Sequence, residues 1–419
     1  MSKIKIKNFG PIKEGFTEGD GFIDVKKVTV FIGNQGSGKS TVAKLISTFS
    51  WIEKALTRGD YSMKHFSKIF SLKDQSKNQY IAYHRIENYF SKSENTLIEY
   101  KGDAFHIKLE NGILTINDAK NGDYPLPQIM YVPAERNFIS YVKSPKELKL
   151  SSDSLKEFLT EFDNAKEAMK GAMALPINNV DIEYDKLNDI VNIKGKDKNG
   201  IDYKVRLTES SSGFQSLIPL YLVSDYLSKG IKEKSDSNFG GMSSEEVERF
   251  KKLAAEIYST ESLTEEQRRA ALSAISSKFN KTAFINIVEE PEQNLFPNSQ
   301  QQMLHSLLEF NNRNDGNKLI MTTHSPYLLV YITLCVEANR LKQKITSDDL
   351  KLKLSDIVPL SSTVDGDDLV IYELDETTGT IEKLKSYKGL PSDENKLNEG
   401  LGAANEEFSK LLDLEDLCQ

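Results

Sequence analysis

A chain of 419 residues exceeds the usual size of a single hydrophobic core, so a large domain with a lobe or an insertion is expected. No run of residues approaches the roughly 20 consecutive apolar positions of a membrane span, which excludes a helical membrane protein. The net charge of -8 offers no overall basic field for nucleic acid, so any DNA contact has to be local.

The opening residues, MSKIKIKNFGPIKEGF, alternate polar and apolar like a strand and lack the apolar core and cleavage site of a secretory signal. A cytoplasmic protein is expected. Cys335 and Cys418 lie far apart without metal-ligand spacing and read as ordinary thiols. A second strand within Phe22 to Ile32 runs into a glycine-rich loop, and a helix from Gly38 to about Lys54 follows. From Tyr80 to Ile116, short β-rich runs broken at Lys101-Gly102-Asp103 and Asn111-Gly112 predict an antiparallel lobe. Ser154-Leu-Lys-Glu157 is a capping-box pattern opening a helix to about Met173, and Asn199-Gly200 turns a further hairpin. The run KVRLTESSSGFQS, Lys204 to Ser216, then carries a strand into a helix.

Between Gly230 and Lys281 the composition turns polar and helical, with capping signals at Ser243 or Ser244 and at Thr264. Leu253, Ala254, Ile257, Ala271, Leu272 and Ile275 fit a short helical pair, since a long coiled coil needs sustained heptads. An apolar strand, a helix, a second apolar strand ending at Met321 and a helix from Pro326 follow, the alternation of a parallel sheet covered by helices. From about Lys351 a small β-hairpin and terminal helices close the chain. The expected divisions are 1–230, 231–280, 281–350 and 351–419.

Gly33-Asn34-Gln35-Gly36-Ser37-Gly38-Lys39-Ser40 fits the phosphate-loop pattern, and it stands after an apolar strand and before a helix, where the mechanism needs it. Backbone N–H groups of such a loop curl round phosphates, Lys39 supplies a point charge, the Ser40 hydroxyl can ligate Mg²⁺, and Thr41 assists at the helix start. AFINIVEEPEQNLFP, Ala283 to Pro297, is a buried-type strand ending in two adjacent carboxylates. Glu289 is expected to hold Mg²⁺ and Glu290, on the other side of the extended chain, to orient or deprotonate water. The alternative for this pair is a helix N-terminus, where glutamates are favoured by the dipole. A lone histidine is more often structural, but His324 in LIMTTHSP exits a second buried strand beside the Glu290 strand, which makes it the catalytic candidate among five histidines. Ser211, Ser212 and Gly213 open an apolar helix and form an anion site, although a serine-rich N-cap looks the same.

Taken in order, the phosphate loop, SSSGFQS, IVEEPEQNLFP and TTHSP resemble the ABC-type ATPase head shared by transporters, SMC proteins and OLD-family proteins. The resemblance spans most of residues 1 to 330. It implies an α/β fold with a mixed central sheet flanked by helices, an antiparallel β-lobe and a short helical insertion. ATP and Mg²⁺ are the implied cofactors. Head-to-head dimers are implied too, with Ser212 and Gly213 contacting the γ-phosphate held by the opposite subunit. The Glu-Glu-Pro-Glu variant favours the OLD-like branch, and Tyr131-Val-Pro-Ala-Glu135-Arg136 looks like that branch's segment near the Q-loop position, which makes Glu135 and Arg136 further nucleotide-site candidates. Val364-Asp-Gly-Asp-Asp368 reads as a turn, and the roughly 95 residues after His324 are too few for the TOPRIM domain of OLD nucleases. The layout resembles ATPase subunits of bacterial anti-phage systems, PARIS-type first and Septu-type second. That resemblance implies a homo-oligomer that holds a separately encoded TOPRIM or HNH nuclease and responds to a phage-encoded trigger. The alternative is a RecF- or SMC-like ATPase of DNA repair or chromosome maintenance.

Overall fold

The computed structural model describes residues 2–71, 78–90, 95–119, 124–141, 150, 152–232, 244–260, 264–279 and 281–416, so Cys418 and Ser243 lie outside the described residues. Its centre is a seven-stranded mixed sheet in the order Gly15–Phe16, Thr380–Lys383, Leu369–Leu374, Val28–Gly33, Lys318–Thr322, Ala283–Glu289, Pro127–Val132. The inner strands run parallel, and Val28–Gly33, Ala283–Glu289 and Pro127–Val132 are buried at every position. Such continuous apolar runs belong to a sheet covered on both faces.

Period-two alternation assigns the two faces. Val28, Val30, Ile32, Leu319, Met321, Phe284 and Val288 enter one core with the helices Asp153–Glu167, Ser212–Lys232, Pro297–Asn312 and Pro326–Lys342. Phe31, Ile320, Ile285 and Ile287 enter the other with the helix Lys39–Arg58 and the lobe. The lobe is a five-stranded antiparallel sheet, ordered Ile23–Asp24, Lys3–Lys7, Leu97–Lys101, Phe105–Glu110, Ile113–Asp118. Its last hairpin turns at Asn111 and Gly112, both at positive φ (52° and 77°), the backbone that Asn-Gly adopts most readily. A second antiparallel sheet, of four strands, holds the Ile190–Lys196 and Asp202–Arg206 hairpin around Gly200.

The structure corrects several sequence expectations. Residues 79–82 and 87–89 are helical turns where β-rich runs were expected, because the Asn78 side chain accepts from the N–H groups of Tyr80 and Ile81 and starts a turn. The helix expected from Ser154 to Met173 spans Asp153–Glu167. Ser152 caps it, its hydroxyl accepting from Leu155 N at 3.3 Å, while Glu157 takes the Tyr83 hydroxyl instead of closing a capping box. At Thr264 the reciprocal box is present, Thr264 N donating to Gln267 Oε1 (3.0 Å) and Gln267 N to Thr264 Oγ1 (3.3 Å). It opens Glu265–Phe279, which pairs with Ser244–Ser259 as a short helical insertion. The hairpin near the chain's end joins the central sheet: Leu369–Leu374 lies parallel to Val28–Gly33 and directly beside it. Among the described residues no helix is long and apolar enough to cross a membrane.

Candidate functional site

Two glycines of the loop between Val28–Gly33 and Lys39–Arg58 are required by contact and by backbone. At Gly33 (φ 140°) a Cβ would meet the Leu374 carbonyl oxygen at 2.4 Å, and at Gly38 (φ 103°) it would meet Ile12 at 3.0 Å and Pro11 at 3.1 Å. The opening Pro11-Ile12 segment and the Leu369–Leu374 strand therefore both brace the loop. Asn34, Gln35 and Gly36 are exposed, Ser40 is half-buried, Thr41 is buried, and the buried Ser37 hydroxyl has no partner. The helix that follows has no acidic residue in its first turn, which leaves its N-terminal N–H groups free to favour an anion.

Lys39 is buried in this cradle, and its ammonium donates to the carbonyls of Gly33 (2.9 Å) and Asn34 (2.8 Å). Burial lowers its pKa to about 8, against the opposing pull of Glu290, Glu292, Glu376 and Glu289. His324 stands between Lys39 and Glu290: Nδ1 lies 3.5 Å from Lys39 Nζ and Nε2 lies 3.6 Å from Glu290 Oε1. Burial first, then the Lys39 charge, push the imidazole below its ordinary pKa, so it is neutral at pH 7.

The adjacent carboxylates diverge. Glu289 is buried, its Oε2 accepts from Ala134 N at 3.2 Å, and its Oε1 is buried without a partner. Glu290 turns toward His324 and is about one-third exposed (35%). Its backbone sits at φ 43°, the left-handed region that a non-glycine residue enters at a cost, held there by the Glu290 N–H bond to Thr322 O at 2.9 Å. Burial and then the Glu289 charge raise the Glu290 pKa, while Arg136 and Lys39 oppose the rise. A buried carboxylate oxygen of Glu289 without a partner, and the half-buried Ser40 hydroxyl at the start of the helix, are the oxygen donors that suit Mg²⁺, which binds through one or two protein oxygens, waters and phosphates. No group of three or more His, Cys, Asp or Glu among the described residues forms a closed metal cage.

Ser211 and Ser212 are exposed at the start of Ser212–Lys232, and Gly213 packs against the turn after the Glu289 strand, where a Cβ would lie 3.0 Å from Asn294 O. The structure brings Lys39, His324, Glu290 and Glu289 together and leaves Ser211 and Ser212 presented to solvent, with Gly213 half-buried behind them. Glu135 is exposed, and its charge adds to the field that raises Glu290. Arg136 departs from the expectation of a nucleotide contact. It is fully buried, and its guanidinium donates to backbone carbonyls of Ser216, Pro133, Glu289 and Glu290.

Three further residues lie near these side chains, of which the sequence raises only Glu292. Glu292, half-buried, accepts from Thr323 Oγ1 and His324 N, each at 2.8 Å, and so fixes the strand exit that carries the imidazole. Glu376 accepts from Asn34 Nδ2 at 2.9 Å. Tyr131, buried with its hydroxyl near Glu289, is pushed well above its ordinary pKa by burial and then by that carboxylate. Only Glu292 carried a signal, as the third acid of Glu-Glu-Pro-Glu.

A family model described as "AAA ATPase domain" matches residues 256–329, less than half of the chain. No curated protein matches. Among solved structures, an SMC head domain from Thermotoga maritima is 11% identical, covering 92% of this chain and 98% of its own, with a TM-score of 0.37. An Smc head domain with an extended coiled coil, bound to the C-terminal domain of ScpA and derived from Pyrococcus furiosus, is 12% identical over 97% of this chain and 99% of its own (TM-score 0.33). A dimeric bacterial ABC transporter cassette is 12% identical over 92% and 100% (TM-score 0.23). Overlaps this loose bear on neither substrate nor biological role.

Proposed function

We propose that the chain binds ATP with Mg²⁺ and hydrolyses it, as an ABC/SMC-type ATPase whose sites are completed by Ser211, Ser212 and Gly213 of a second copy. The observation that carries this reading is the placing of His324 between Lys39 and Glu290 at the mouth of a glycine-braced loop. Lys39, released from the Gly33 and Asn34 carbonyls, takes the β/γ oxygens, and the loop N–H groups orient the polyphosphate. Glu290 holds the attacking water in line and accepts its proton, and neutral His324 donates toward the γ-phosphate. Mg²⁺, when bound by Ser40 and through water by Glu289, neutralises charge that builds on the leaving oxygens.

In this reading the head comprises 1–230 and 281–350, together with the Leu369–Leu374 strand that walls the loop. The process it serves rests on the resemblance to anti-phage ATPase subunits: a sensor and scaffold for a separately encoded nuclease. A DNA-maintenance role is equally compatible with the fold. Phosphate release by the purified protein, abolished in Glu290→Gln, tests the ATPase. Copurification with the adjacent gene's product, set against binding of linear duplex DNA, separates the two roles.

A further inference from the structure

Arg136 joins three segments that the sequence keeps apart. Its Nε donates to Ser216 O (3.1 Å), Nη1 to Glu289 O (2.7 Å) and more weakly to Pro133 O (3.4 Å), and Nη2 to Glu290 O (2.6 Å). The side chain is fully buried, and the carboxylates of Glu292, Glu290 and Glu289 favour its charge. A buried cation is costly unless its donors are matched, and the planar fork fixes the relative position of every carbonyl it touches. Ser216 lies one turn into the helix that begins at Ser212, so this clamp spans from the Glu289–Glu290 strand end to the first turn of that helix. A second strut runs alongside: Asn294 Nδ2 donates to Ser216 Oγ at 2.9 Å, and Gly213 lies against Asn294 O.

We infer that Arg136 is a positioning residue that couples the chain's own nucleotide site, through Glu289 and Glu290, to the Ser212–Gly213 half-site it presents to the second copy. The inference rests on the ATPase reading above. When nucleotide orders Glu290 at the chain's own loop, the clamp carries that order to the helix start seated on the partner. Hydrolysis then depends sigmoidally on ATP, because filling one site improves the other.

The test measures steady-state hydrolysis against MgATP concentration in wild type, Arg136→Lys and Asn294→Ala, together with MgATP affinity of the dilute protein. Arg136→Lys keeps the charge and loses the fork. The expected result is nucleotide affinity within about threefold of wild type, since the Arg136 bonds all go to carbonyls outside the phosphate loop, with a lowered kcat, little change in KM and a hyperbolic curve. The coupling between sites falls by about 2- to 30-fold, the usual range for a residue on a coupling route. Asn294→Ala shifts the same quantities in the same direction by less. Wild-type sigmoidality and kcat in Arg136→Lys overturn the inference, as does a hyperbolic wild-type curve. Should thermal melting show Arg136→Lys unfolded, Asn294→Ala decides alone, and unchanged cooperativity there overturns it. Absence of hydrolysis in wild type, or its retention in Glu290→Gln, strikes instead at the ATPase reading.

Discussion

Replacing Glu290 by Gln keeps the side chain's shape and one oxygen at the position 3.6 Å from His324 Nε2, and removes the carboxylate that takes a proton from water. Nothing that anchors the local backbone is lost, since Glu290 N donates to Thr322 O and the Glu290 carbonyl accepts from Arg136. The fold and the φ 43° turn should survive. Removing a positioned general base typically costs about 10²- to 10⁴-fold in rate. Nucleotide affinity should hold or tighten, because one negative charge leaves the neighbourhood of Lys39 and the phosphates. If hydrolysis is the step that opens a pair of heads, the lifetime of the ATP-bound pair lengthens by the same factor. Wild type carries an independent check. Its Glu290 pKa is raised, so the base becomes protonated above the ordinary carboxylate range, and kcat should fall as pH drops through that raised value. The Gln variant should lack that limb. The measurements are single-turnover phosphate release between pH 5 and pH 9, and lysine crosslinking with and without MgATP. A Gln variant that releases phosphate within about threefold of wild type refutes the assignment of the base. Crosslinking that ignores ATP refutes nucleotide control of the interface.

Lys39→Ala removes the buried cation from the loop, and calorimetry should find MgATP affinity reduced by at least about 100-fold with an unchanged melting curve; retained affinity would exclude this loop as the site. Ser212→Arg alters an exposed residue, so dilute protein should bind nucleotide normally while hydrolysis is lost at concentrations that pair the wild type; normal turnover would discard the shared-site arrangement. The lowered pKa of Lys39 predicts proton uptake on binding. Above about pH 8 the free lysine loses its proton, whereas the phosphate-bound lysine keeps it, so affinity falls as pH rises past that value. At pH 8.5 roughly three-quarters of a proton should be taken up per ATP, read as a dependence of the binding heat on buffer ionisation enthalpy. Heats identical in Tris and phosphate would count against a lysine poised near pH 8.

The candidate site residues were legible because each depends on local chemistry that a linear string records. A phosphate loop needs its glycines at fixed spacing, and the buried strands announce themselves as unbroken apolar runs with acids or a histidine at the exit. What escaped depends on where elements meet. LVIYEL, Leu369 to Leu374, is a plausible strand anywhere in an α/β protein; that it lies beside the phosphate-loop strand, and sets Glu376 against Asn34, is a tertiary fact with no sequence period of its own. Arg136 was legible as a charge near the site, but its bonds to backbone carbonyls were not, because an arginine in a motif does not disclose whether it faces ligand or backbone.

The same meeting of elements sets the electrostatic character of the site. Four carboxylates, Glu289, Glu290, Glu292 and Glu376, act on Lys39; among the first three stands Arg136, already bonded to carbonyls, and near Glu376 stands Lys396, already paired with Asp375. Acids therefore outnumber the charge free to meet a phosphate. A bare polyphosphate enters against that field, whereas one accompanied by a divalent cation brings the charge that Glu289 and Glu290 lack. In the proposed ATPase reading, a preference for a metal-nucleotide complex would thus follow from the acids gathered around Lys39 as much as from the glycine-rich loop.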